Sequence, residues 1–196
     1  EVEKIENQDD YISVMGLSAD ENGKIVGDKY PNNGFDGSIF EMRYKYKVRG
    51  DKFGIFITKT YQREISGKDF SQYEGKGYIP QSVIFNEYDA RGIKTRFVNK
   101  IVRFYLKDDD DEASVSNTRW SGQNMFGFNE GHLSIINSYQ NKLFLHPLVL
   151  IRNIVGFQTY SFRIKDSIHK IVASIKNPFI KVISVFLLPM SFIYQK

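Results

Sequence analysis

The chain contains no cysteine. Disulfides, thiol nucleophiles and cysteine-ligated zinc or iron–sulfur centres are therefore excluded. No Asn-x-Ser/Thr acceptor occurs, so N-glycosylation is not expected. Gly-x-Ser-x-Gly, the phosphate-binding P-loop and the dinucleotide fingerprint are also missing, and Gly75-Lys76-Gly77 alone carries no meaning. Long apolar runs are lacking too. Val182 to Tyr194 runs only 13 residues without charge, with Lys181 before it and Pro189 inside it. A membrane-crossing helix needs about 20 apolar residues.

What remains is an ordinary folded composition, 41% hydrophobic, 15% aromatic and 26% charged, which excludes wholesale disorder. At 196 residues the chain suits one domain, or one domain with an extension. The net charge of +4 conceals blocks of opposite sign. Glu1 to Asp36 holds nine acidic and three basic side chains, and residues 37–106 hold fourteen basic and seven acidic. Residues 141–196 carry eight basic side chains against one acidic, Asp166, and are also the most apolar part of the chain.

Alternation supplies the strand expectations. In Phe40 to Val48 every even residue is apolar, while Glu41, Arg43, Lys45 and Lys47 take the odd positions. Period two predicts a half-exposed strand. It forms a hairpin with Phe53–Tyr61 across Arg49-Gly50-Asp51-Lys52. Ser82–Tyr88 and Phe97–Leu106 suggest a second hairpin, with Asp89 to Ile93 as its turn. Tyr11–Met15 and Tyr160–Lys165 are further strand candidates. A helix is expected from Asp166, and Asn177-Pro178 should restart it, with Asn as cap and Pro as first helical residue. Lys170, Ser174, Asn177, Lys181 and Ser184 then trace one polar stripe on an apolar helix.

These elements predict a mainly β fold, an antiparallel barrel or sandwich over residues 1–140. A C-terminal, α-containing apolar and basic extension follows over 141–196, making the whole α+β. Arg43, Lys45, Lys47, Arg96, Lys100 and Arg103 form a candidate anion-binding sheet face, suited to nucleic acid. The simpler reading, that a solvated strand face carries alternating charge anyway, outweighs it.

Other motifs are weaker. Asp36 and Glu41 loosely suggest a metal-dependent nuclease pair, but Arg43 stands where a lysine is wanted and does not transfer protons readily. Glu130 and His132 are a possible metal pair, His146 and His169 have no supporting spacing, and no metal or other cofactor is assigned. Arg49-Gly50-Asp51 matches an integrin-recognition tripeptide, which a turn explains equally well. Asp108–Glu112 is a solvated acidic run able to mask the cationic tail, and Trp120 is ambiguous.

The leading expectation is a non-enzymatic module that docks on a larger assembly or a membrane surface. Its partner is a protein subunit or an anionic membrane surface, met through Lys170, Ile175, Phe179, Lys181 and Phe186. Nucleic-acid binding and metal-dependent hydrolysis are the alternatives. If the tail is exposed, the protein is membrane-peripheral or part of a complex.

Overall fold

The computed structural model describes residues 1–104 and 124–193. Of these, 55% are helical and 17% lie in strands. The strands are β1 (Tyr11–Ala19), β2 (Gly34–Gly37), β3 (Lys52–Phe56) and β4 (Lys94–Phe104). They form one open mixed sheet in the order β2-β4-β1-β3. The expectation of a mainly β barrel or sandwich is thereby overturned. The chain divides into two compact units, Glu1–Lys68 with Tyr88–Asp110, and Asp69–Glu87 with Asp111–Lys196.

In the first unit β1 is buried along nearly its whole length. It runs parallel to β4 and antiparallel to β3. Both its faces are covered, with even Ser13 and Ser18 buried, which explains why its sequence shows no apolar–polar alternation. Leu17 joins Tyr30, Met42, Val48 and Phe97 in one cluster, and Val14 joins Ile5, Tyr11 and Ile57 in another. Between these clusters β4 shifts register beside Gly16, where a Cβ would lie 2.7 Å from the Lys100 carbonyl. Glycine there accommodates a bulge.

Both predicted hairpins are absent. Residues 39–45 are helical, with a π-helical turn at Glu41–Lys45, and Tyr46, Lys47 and Val48 lead out of it. Ser38 and Glu41 form a reciprocal cap. The Glu41 N–H donates to Ser38 Oγ at 3.0 Å, and the Ser38 N–H donates to Glu41 Oε2 at 3.1 Å. The Asp89 carboxylate accepts two more free N–H groups, from Ile39 at 2.7 Å and Phe40 at 3.2 Å. Four helix-start donors would otherwise need water, and here the local Ser38 and Glu41 and the sequence-distant Asp89 satisfy them. The turn closes where Lys47 adopts φ 56° and the Val48 N–H donates to the Met42 carbonyl.

Phe53–Tyr61 splits into β3 and a helix, α1 (Thr58–Ile65), and β3 pairs with β1. Ser82–Tyr88 belongs to α2 (Ser82–Ala90). Gly92, expected in a hairpin turn, instead ends this helix at φ 92°, and the Ile93 N–H returns to the Tyr88 carbonyl.

The second unit is helical, with α3 (Met125–Ser138), α4 (Gln140–Phe144), α5 (Pro147–Arg163), α6 (Ile168–Ser174) and α7 (Pro178–Ile193). The strand expected at Tyr160–Lys165 is the end of α5, which stops where Lys165 turns left-handed at φ 65°. Ser167, not Asp166, caps α6 by accepting the Lys170 N–H at 3.2 Å. Asn177 does cap α7, its Oδ1 accepting from Phe179 N at 2.9 Å and Ile180 N at 3.2 Å.

Candidate functional site

Helix α7 is amphipathic in the reverse of the usual sense. With 3.6 residues per turn, Ile180, Ser184 and Ser191 fall on one side, and all three are buried. The opposite side presents Phe179, Val182, Phe186, Met190 and Ile193 to solvent, with Phe179 73% and Phe186 79% exposed. Water-facing helices ordinarily put the serines out and the phenylalanines in.

Gln158 of α5, fully buried, accounts for the inward serines. Its Nε2 donates to the Ser184 carbonyl at 2.6 Å and to Ser184 Oγ at 2.8 Å, and its Oε1 accepts from Ser191 Oγ at 2.6 Å. Similar pairs join the other helices. Asn129 Nδ2 donates to Ser161 Oγ at 2.7 Å and to the Phe157 carbonyl at 3.0 Å. His132 Nδ1 lies 2.9 Å from Asn153 Oδ1, and Asn137 Nδ2 donates to the Ser174 carbonyl at 2.9 Å. Hydrogen bonds across helix contacts with hydrocarbon outside resemble the packing of helices whose outer solvent is lipid.

The apolar exterior continues at the α4–α5 corner, where Leu145 and Leu148 are exposed at 79% and 81%. The same unit also exposes cations. Lys142, Arg152, Lys165 and Lys176 are exposed, and Asp166 pairs with Lys170 at 2.5 Å. Of the residues predicted to dock, Phe179 and Phe186 lie on the outer face of α7, and Lys181 sits half-buried at its edge. Lys170 is exposed on α6, whereas Ile175 is fully buried. Among the described residues no helix is long and apolar enough to cross a membrane.

The other predicted site residues are dispersed. Arg43 and Lys45 are exposed on the helical turn, and Lys47 follows it. Arg96, Lys100 and Arg103 lie on β4 and pair with Asp36, Glu1 and Asp51 respectively. The Arg96 fork holds both Asp36 oxygens at 2.8 and 2.7 Å, and with Tyr11 it keeps this carboxyl below its ordinary range. Glu41 is committed to Ser38 as a helix cap.

Glu130 and His132 sit two residues apart on a helix, which points them to different sides. Burial raises the Glu130 carboxyl, with Lys170 opposing and Asp166 adding to the shift. Among the described residues no group of metal-ligating side chains converges. His146 stands just before α5 and His169 is exposed on α6. Arg49, Gly50 and Asp51 are all exposed, with Gly50, at φ 86°, lying against Gly27 and Asp51 meeting Arg103 and Ser18, so the tripeptide is tied to its neighbours at a turn. Asp108–Glu112 and Trp120 fall outside the described residues. No protein family, characterised protein or solved structure matches this chain.

Proposed function

We propose that the protein is a non-enzymatic module that docks on an anionic membrane surface through its C-terminal helices. The observation that carries this reading is the inversion of α7, which buries Ser184 and Ser191 and exposes Phe179 and Phe186. Exposed hydrocarbon of this extent marks an interaction surface. Charge favours lipid of negative sign, since residues 141–196 hold eight cations and one anion. The helix lies in the interface instead of crossing it. Its 16 residues at 1.5 Å each give about 24 Å, short of the roughly 30 Å hydrocarbon core.

Co-sedimentation with phosphatidylglycerol vesicles and with phosphatidylcholine vesicles tests this. Strong binding to the first and weak binding to the second is expected. Phe179→Ser with Phe186→Ser should weaken binding about a hundredfold, taking about 1.5 kcal/mol for each phenylalanine transferred from water. Folding should be unaffected, because both side chains point outward. No binding to either vesicle would sink the proposal. A lipid-free dimer that this double variant dissociates would replace it with self-association.

A further inference from the structure

Beyond surface docking, we infer that a groove along α5 binds a single hydrocarbon chain ending in an anion, such as a fatty acid or a lysophospholipid. The groove has a volume of about 490 Å³, within the range of small-molecule sites. Its walls come from one compact unit, with His132 of α3 and Met190 of α7 beside the outward side of α5. Leu148, Ile151 and Val155 make it apolar along its length.

Two cations flank this apolar strip. Arg152 and Arg163 are eleven residues apart, about three helical turns, which places them on the same face about 16 Å apart along the axis. Among the described residues neither forms an ion pair, whereas Arg63, Arg91, Arg96 and Arg103 each have a carboxylate partner. An unpaired guanidinium beside a groove retains its fork for a carboxylate or phosphate.

Thr159 fixes the polarity. It lines the groove one turn before Arg163, so the two side chains are neighbours on the helix. Its Oγ1 is buried without a hydrogen-bond partner, an arrangement that costs free energy unless a ligand supplies one. The anion sits at Arg163, which is half-buried where Arg152 is exposed. A turn of Thr159 about its first side-chain torsion brings its hydroxyl, closed off in the unliganded protein, to the anion as a second donor. The chain runs past Val155 and Ile151 toward Leu148. Gly156 lets the His132 ring close in on α5 as one wall, since a Cβ there would lie 2.6 Å from His132 Nε2.

The test is calorimetric titration of the full chain with dodecanoate below its micelle concentration, with dodecanol as the uncharged control. Saturable one-to-one binding of dodecanoate is expected, about tenfold or more tighter than dodecanol, the worth of one charge-assisted hydrogen bond. Arg163→Gln should remove that preference, Thr159→Val should weaken binding severalfold, and Val155→Trp should block it. Thr159→Val is nearly isosteric, so it separates ligand contact from misfolding.

A second arm follows transfer of lysophosphatidylglycerol out of vesicles. Transfer identifies a membrane source, and dodecanoate binding without transfer identifies free fatty acid. Absence of saturable binding overturns the inference, as does binding indifferent to Val155→Trp, and so does a larger effect from Arg152→Gln than from Arg163→Gln. The titration contains no vesicles, so its result is independent of whether the α7 face docks on a bilayer.

Discussion

Gln158→Leu tests whether the inward polar contacts hold α7 in place. The substitution roughly preserves volume and deletes three hydrogen bonds, two to Ser184 and one to Ser191. At about 1 kcal/mol net per bond, the loss is at most about 3 kcal/mol. Two effects offset part of it. Ser191 Oγ already leans on the Leu187 carbonyl at 3.4 Å, and Ser184 is able to turn to the carbonyl one helical turn back. The expected net loss is therefore about 2 kcal/mol. Combining Gln158→Leu with Ser184→Ala and Ser191→Ala removes both sides of each side-chain pair, which is nearly neutral when the replacements are apolar. The triple variant should recover to within about 1 kcal/mol of the parent. Urea unfolding followed by far-ultraviolet circular dichroism reads this, with midpoints compared at unchanged m. A triple variant less stable than Gln158→Leu alone would refute the reasoning, and so would a single variant that loses nothing.

Two other side chains give sharp expectations. Asp89, buried, accepts the Ile39 and Phe40 N–H groups. Asp89→Ala should cost about 2–4 kcal/mol in urea unfolding, and an unchanged midpoint would show that water caps that turn equally well. Glu130 titrates above its ordinary value because burial disfavours the carboxylate. A raised folded pKa means that ionisation penalises the native state. The penalty is present at neutral pH, fades as pH falls through the raised value, and is gone below the unfolded value near 4.5. Glu130→Gln should accordingly raise the melting temperature at neutral pH and leave it unchanged in acid; a pH-independent difference would contradict this account.

The sequence exposes some of this architecture and conceals the rest for definite reasons. Tyr11 and Phe97 do mark strands, because β-branched and aromatic residues cluster around them. Asn177-Pro178 marks the start of α7, since its capping chemistry is local. The alternation in Phe40 to Val48 points to a strand, yet the decisive signal is Ser38-Ile39-Phe40-Glu41, a capping box two residues earlier. Gly92 serves a helix end as readily as a hairpin turn, so its presence alone does not distinguish α2 from a strand. At the candidate site, the polar stripe through Lys181 and Ser184 is readable from spacing. Which side of it faces inward is not. That depends on Gln158, whose serine partners lie 26 and 33 residues away in sequence. The groove is hidden likewise, because the alternation at Tyr160–Lys165 suggests a strand. Only a continuous α5 brings Arg152 and Arg163 onto one face.

The inward anchoring of α7 also bears on how docking would proceed. Many amphipathic segments fold only on reaching a bilayer, and the entropy of ordering then subtracts from their affinity. Here Ile180, Ser184 and Ser191 are buried, and Phe162 stacks on Phe192 at 4.4 Å. The helix is therefore formed before any lipid arrives. Its outer phenylalanines already point away from the packed side, so binding needs no rearrangement of the helices. Most of the apolar transfer free energy would then appear as affinity. Insertion deeper than the interface would have to break the Gln158 hydrogen bonds or draw Lys181 into hydrocarbon, and each outweighs the gain from one more buried methylene, about 0.8 kcal/mol. On the docking proposal, depth would therefore be limited by the residues on the back of α7 as much as by those on its front.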